Sequence, residues 1–367
     1  MGSLFLFSLH YMAWTKPIHE RPRINQAGQA LLNNALSDAE KDLELDVVNN
    51  WRSAHGYPLQ CIKMALKGRA KRMDRNAIVA QRVKRLPSIL AKLKREPQMR
   101  LSQMQDIGGC RAIVSTIRDV DKLVKAYQEA KAKNPTRGHQ QASVKDYITN
   151  PKPDGYRSVH LVYKYRSGSK KHSIFNDQKI ELQIRSRLQH AWATAVEIVD
   201  ACTGQALKSG LKLNLGDPKW RRFFVLMSSA IALRESRPPV PGSLISEVTL
   251  KKELKTLAKE LRVVDLLSSL SAGLNLGQEL GQKHPETTAY LLRLHLRDKQ
   301  VFVTAFTEDE LPDANEQYLR IEKDNQDNPN VLAVLVAVES MKALRTAYPN
   351  YYLDSGEFIK ALKKAIK

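Results

Sequence analysis

Three short runs rich in β-branched and aliphatic residues, Arg111–Ser115, Val159–Tyr165 and Lys179–Ile184, constrain this chain most, because each is too short and too β-prone to be helical. The first follows a glycine pair in Asp106–Ser115 (DIGGCRAIVS), where Gly108-Gly109 is expected to break a helix. Asp119–Lys133 follows, with Val120, Leu123, Val124 and Tyr127 on one helical face. The other two runs flank a polar loop, Gly168–Asn176, and a further helix is predicted to start near Ser186, carrying Leu188, Trp192, Ala195 and Val196. Strand, helix, strand, strand, helix is the order of an α/β (α+β) domain built on a mixed sheet.

Upstream, 24–70 reads as helical and Asn76–Arg95 as a second helical stretch, whereas Gln140–Gly155 reads as loop. Arg237-Pro-Pro-Val-Pro-Gly242 is a stiff break. The expected division is therefore 12–236, a linker at 237–246, and 247–367. Past the break, 244–283 reads as helical, followed by a hairpin of Tyr290–Leu296 with Gln300–Phe306, a helix from Glu308 to Asp324, a strand at Val331–Val338 and a basic closing helix. This predicts a second, smaller α+β domain.

Charge separates the two parts. Residues 245–367 hold 17 basic and 18 acidic side chains, leaving 42 basic and 20 acidic before them, so the whole excess of +21 lies in the N-terminal two thirds. Such a field attracts polyanions, which points to nucleotide or nucleic acid. The run Lys63, Lys67, Arg69, Lys71, Arg72 and Arg75 is either a groove for a phosphate backbone or a solvated helix face. Three scattered cysteines without a CxxC pair suggest a reduced, cytoplasmic protein without structural zinc. No apolar run reaches the ~20 residues of a membrane span, and the opening apolar stretch lacks the marks of a secretory signal, with Met12 as an alternative start.

Phosphoryl-group transfer needs a Mg²⁺ on one or two carboxylates, cations around the phosphates and a base near the attacking hydroxyl. Asp106, before the glycine pair, and Glu181, opening a strand, are candidate metal ligands. Strand alternation sets Glu181, Gln183 and Arg185 on one face. Gly155 permits a turn that presents Tyr156, either as a stacking surface for a base or as a core side chain, with Lys152, Arg157 and His160 as phosphate donors.

In order along the chain, Arg82-x-Lys84-x-x-x-Ser88-Ile-x-x-Lys92, Asp106-Ile-Gly-Gly-x-Arg111, Asp146-Tyr-Ile-x-Asn-x-Lys152-x-x-Gly155-Tyr156-x-Ser158-x-His160 and Glu181-x-Gln183-Ile-Arg185 resemble the RelA/SpoT alarmone-synthetase domain over about 25–235. The resemblance implies an ATP-dependent pyrophosphokinase that transfers pyrophosphate to a ribose 3′-hydroxyl. It assigns Asp106 and Glu181 to Mg²⁺, with Glu181 also taking the hydroxyl proton. Arg82, Lys84, Ser88, Lys92 and Arg111 go to ATP, and Lys152, Tyr156, His160, Gln183 and Arg185 to the acceptor. Asp154 stands where the family commonly has Asn. No His-Asp pair occurs, so the family's hydrolase half has no evident counterpart.

Toxic members of the family modify the 3′-CCA end of tRNA, and the basic N-terminal part favours that acceptor, with the run from Lys63 to Arg75 as its groove. The alternatives are a small alarmone synthetase making (p)ppGpp or (p)ppApp and a non-catalytic RNA-binding module. The neutral C-terminal part, closing with Tyr348-Pro-Asn-Tyr351-Tyr352, is similar to the fused antitoxin module of the phage-defence toxins called CapRel. That likeness implies autoinhibition by Tyr348, Tyr351 and Tyr352 and a phage capsid protein as trigger. The same tyrosines could instead cap the terminal domain's own core. Leu266, Leu267, Leu270 and Leu274 are candidates for a hinge or anchor.

Overall fold

The computed structural model describes residues 14–33, 35–133, 138–203, 217–243, 246–295, 298, 300–325, 328, 330–337 and 351–367. They divide into two compact units, Met1–Lys145 with Val159–Ile184, and Asp146–Ser158 with Arg185–Lys367.

The first unit is a five-stranded mixed sheet with helices. Its elements are α1 (Arg21–Ala30), α2 (Asp38–Ala54), α3 (Gly56–Met73), β1 (Ile78–Val83), α4 (Leu86–Arg95), β2 (Gly108–Val114), α5 (Ile117–Lys133), β3 (Gln140–Asp146), β4 (Val159–Lys164) and β5 (Lys179–Ser186). The strand order is β1-β2-β5-β4-β3, as the sequence-based fold class anticipates. The stretch 24–70, expected to be helical, is covered by three helices. A capping box between Ser37 and Glu40 starts α2, satisfying backbone N–H groups that the first turn leaves open.

Two expectations are corrected. Asn76–Arg95 is not one helix: β1 occupies Ile78–Val83 and pairs antiparallel with β2 from Ile78↔Ile113 to Val83↔Gly108. The run Ile-Val-Ala-Gln-Arg-Val is β-prone, and Pro87 near the start of α4 delays the helix until after Arg85. The stretch from Gln140 is not loop throughout, because β3 forms the sheet edge before the turn begins at Asp146. Its alternation of polar and small residues is typical of an exposed edge strand and hides it from a hydrophobicity reading. The glycine pair likewise lies inside β2. A Cβ on Gly108 would come within 2.6 Å of Ile180 Cδ1, so glycine here serves close strand and helix packing.

Ile180, Leu182 and Ile184 of β5 are fully buried. A second cluster, Ile24, Ala27, Val47, Val48, Trp51, Ile89, Leu93 and Leu101 with Met104 and Ile107, fixes α1, α2 and α4 around the segment that carries Asp106.

The second unit contains the loop 146–158, α6 (Arg187–Thr203), α7 (Pro218–Arg234), α8 (Glu247–Glu260), α9 (Val263–Lys283), an antiparallel sheet β7-β6-β8, and α10 and α11. Here β6 is Ala289–His295, β7 Gln300–Phe306, α10 Leu311–Asp324, β8 Val331–Ala337 and α11 Tyr351–Ala365. The predicted hairpin pairs from Ala289↔Phe306 to His295↔Gln300.

A large hydrophobic core in this unit joins Trp192 and Ile198 of α6, Phe223 and Phe224 of α7, Leu254 of α8, Leu266, Leu267 and Leu270 of α9, Leu292 of β6 and Phe358 and Leu362 of α11. The three α9 leucines are thus core residues. The compact units do not divide at the Pro-rich stretch, which is laid along α7: Val240 is buried and its N–H donates to Ser229 Oγ at 3.0 Å, while the Ser229 and Ser243 hydroxyls meet at 2.6 Å. Among the described residues no helix is long and apolar enough to cross a membrane.

Phe358 is fully buried against the rings of Phe223 and Phe224. Phe358→Ala is expected to cost about 3–5 kcal/mol of stability, read as a lower urea midpoint.

Candidate active site

In the first unit, Asp106 lies between buried Met104 and Ile107, just before β2. Two lysines converge on its carboxylate, Lys84 Nζ at 2.7 Å from Oδ2 and Lys92 Nζ at 3.2 Å from Oδ1. Lys84 extends from the end of β1, where its N–H donates to Ile107 O at 2.7 Å. Lys92 reaches the same point because Ile89 and Leu93 pin the buried side of α4. Burial works to raise the Asp106 pKa, but the charges of Lys84 and then Lys92 outweigh it and hold the carboxyl below its ordinary value.

Glu181 is held from both sides. His160 Nδ1 lies 2.9 Å from Oε1, and Gln183 Nε2 donates to Oε2 at 2.8 Å. The register His160↔Gln183 and Val162↔Glu181 makes His160 and Glu181 diagonal neighbours on one sheet face, opposite the buried Leu182 side. Arg111 Nε reaches Gln183 Oε1 at 3.5 Å from β2, the adjacent strand. Burial raises the Glu181 pKa, and the His160 and Gln183 contacts overcome it, so the net shift is downward despite the opposing charge of Asp106.

The charge of Asp106 is thus felt at Glu181 within the first unit. Mg²⁺ is usually held by one or two carboxylates, with waters and substrate phosphates completing its shell. Among the described residues no group of three or more metal-ligating side chains forms, so Asp106 and Glu181 suit that sparse pattern and not an all-protein cage. Of the other residues expected at ATP, Ser88 is half-buried in the first turn of α4, and Arg82 is exposed on β1 opposite Gly109.

On α3, Leu59, Ile62, Leu66 and Ala70 are buried, whereas Lys67, Lys71 and Arg72 are exposed, as is Arg75 beyond the helix. Lys63 and Arg69 are half-buried, and the Arg69 guanidinium sits 4.3 Å from the centre of the Tyr127 ring. The sequence run therefore divides into four exposed cations and two that lie lower on the helix.

In the second unit, Tyr156 is half-buried. Lys152 Nζ lies 4.6 Å from the Tyr147 ring centre and 5.0 Å from that of Tyr156, and the buried Arg185 guanidinium lies 5.9 Å from Tyr156. Tyr147 is a neighbour the sequence reading missed, although it stands in the same motif. Asp154 Oδ1 accepts the Tyr156 N–H at 2.8 Å, so its carboxylate closes the turn at Gly155, whose φ is +90°. Arg157, expected as a phosphate donor, is instead 3% exposed and bonded within its own unit. Tyr348 lies outside the described residues, and Tyr351 and Tyr352 open the backbone of α11.

Residues 81–198 match the family described as the region found in RelA and SpoT proteins. The four motifs lie within this span, a RelA/SpoT-type region. The chain is 34% identical over 121 residues to the GTP pyrophosphokinase YjbM of Bacillus subtilis, covering 32% of this chain and 52% of that protein. It is 30% identical over 132 residues to an uncharacterised protein of Mycobacterium tuberculosis, covering 36% and 42%. The chain thus spans about half or less of the curated relatives it matches. Among solved structures, it is similar to small alarmone synthetase 1 of Bacillus subtilis, with 23% identity, a TM-score of 0.41, and coverage of 51% of this chain and 92% of that one. A GTP pyrophosphokinase family protein of Streptococcus pneumoniae gives 20%, 0.40, 56% and 96%.

Because the folded Asp106 pKa is depressed, its ionised form contributes stability above the unfolded pKa, and that contribution is lost as pH falls through the folded value. Lys84→Met removes the stronger of its two cationic partners and brings the folded value up. The acid-unfolding midpoint, followed by circular dichroism, is expected to move to higher pH.

Proposed function

We propose that this chain is a pyrophosphokinase that transfers the β,γ-pyrophosphate of ATP to a ribose 3′-hydroxyl. The observation that carries the reading is the pair of half-buried, ionised carboxylates, Asp106 beneath two lysines and Glu181 held by His160 and Gln183, inside a RelA/SpoT-type region.

In this reading the acceptor oxygen attacks the β-phosphorus of ATP, the bond from that phosphorus to the α,β-bridging oxygen breaks, and AMP leaves. Glu181 receives the hydroxyl proton, and its contacts with His160 and Gln183 keep it ionised and oriented to do so. Lys84 and Lys92 are placed to exchange Asp106 for phosphate oxygens and to offset the charge that develops on them. Asp106 and Glu181 would hold Mg²⁺, which supplies Lewis-acid polarisation of the phosphates. Tyr156 offers a ring for the acceptor base and Lys152 a cation for its phosphate.

For the acceptor, the exposed cations Lys67, Lys71, Arg72 and Arg75 favour tRNA, whose backbone they suit better than a single nucleotide. The name of the Bacillus subtilis relative, a GTP pyrophosphokinase, supports a free guanosine nucleotide as the second reading. In the tRNA reading the C-terminal elements serve as a regulatory module of the toxin.

Incubation of the full chain with γ-labelled ATP and either tRNA or GDP is expected to label tRNA. Label in GDP alone would favour the second reading, and label in neither would end the enzymatic one. Asp106→Asn and Glu181→Gln are each expected to lower turnover by at least about a hundredfold, measured in the same assay.

A further inference from the structure

Arg157 has no role in the chemistry above, yet it is a buried, hydrogen-bonded cation of the loop 146–158. Its Nε donates to Ser228 Oγ at 3.0 Å, Nη1 to Ile148 O at 3.0 Å and Nη2 to Pro238 O at 2.8 Å. Ser228 Oγ donates onward to Gly155 O at 2.6 Å. One guanidinium and one hydroxyl thereby tie the start of the loop, its turn, α7 and the Pro-rich segment together.

The backbone confirms how close this docking is. A Cβ on Gly155 would stand 2.9 Å from Ser228 Cβ and 3.0 Å from the Trp192 ring, and Trp192 Nε1 itself donates to Phe224 O at 2.8 Å. Burial draws the Arg157 pKa down to about 10, with the Glu235 carboxylate acting in the opposite sense, so the side chain is a cation at neutral pH. Glu235 in turn accepts from Ser186 Oγ and, at 2.8 Å, from Gln189 Nε2.

The same helix also meets the C-terminal elements. Arg222 makes two 2.7 Å bonds to Glu253 of α8, and Phe223 and Phe224 pack on Phe358 of α11. Ser228 is one turn along from Phe224 on the same helix.

We propose that Arg157 is a positioning residue: through Ser228 and Pro238 it fixes the loop bearing Tyr156 and Lys152 on α7, and so sets acceptor recognition. Lysine keeps the charge but cannot span three acceptors lying in different directions. The kinetic part of this proposal rests on the pyrophosphokinase reading; the structural part does not.

Arg157→Lys and the milder Ser228→Ala are to be compared with the wild-type full chain. With the acceptor that wild type labels, the KM for acceptor is expected to rise about tenfold, as loss of a charge-assisted hydrogen bond implies. The KM for ATP and kcat at saturating acceptor should stay within about twofold. Amide hydrogen exchange over 146–158 is expected to rise in both variants, with exchange in β2 and β5 unchanged. A parallel rise in both KM values, or exchange over 146–158 that matches wild type in Ser228→Ala, would overturn the proposal. Should wild type label no acceptor, the pyrophosphokinase reading fails, and the exchange measurement still decides the clamp.

Discussion

Burial of Ile180, Leu182 and Ile184 on one side of β5 is the constraint on which the candidate site depends. Strand periodicity admits no compromise: with those three inside, Glu181 and Gln183 must face the other way, and a slip of one residue would exchange the two sets. The antiparallel register with β4 then delivers His160 to Glu181. A purely apolar requirement thereby aims a carboxylate, and the polar contacts refine its orientation afterwards.

Asp106 reaches its place differently. It is held by no strand ladder of its own but by the buried neighbours Met104 and Ile107 and by helices packed around them. The lysines that meet it, Lys84 just past β1 and Lys92 on α4, are twenty-two and fourteen residues upstream in sequence. Each half-buried carboxylate has its own local partners, which hold both pKa values down although Asp106 opposes the ionised form of Glu181.

Much of this was legible in the sequence, for reasons tied to particular residues. Apolar alternation disclosed β4 and β5, and the spacing of Val120, Leu123 and Tyr127 disclosed α5. Edge strands are harder: β1 and β3 have mixed or polar patterns and owe their conformation to a neighbour rather than to themselves. The motif residues Asp106, Glu181 and Gln183 were placed in one constellation from sequence; in the structure Gln183 donates to Glu181, and Asp106 meets Lys84 and Lys92. Arg157 was misread because charge in a loop suggests solvent or ligand, whereas its partners Ser228 and Pro238 lie more than seventy residues away and no local pattern announces them. The Pro-rich stretch misled for a related reason: composition describes stiffness, and whether a stiff segment spans or docks depends on groups such as Ser229 that it meets.

The shared core of the second unit bears on how this protein can be dissected. Cutting after Ser243 would not release a finished module; it would strip α8, α9 and α11 from Trp192, Phe223 and Phe224. The shortened polypeptide would carry a wide bare oily surface and stick to itself or to chaperones. Cellular poisoning by such a fragment, or the lack of it, would then report on solubility as much as on released catalysis, and point changes within the intact chain are the cleaner instrument.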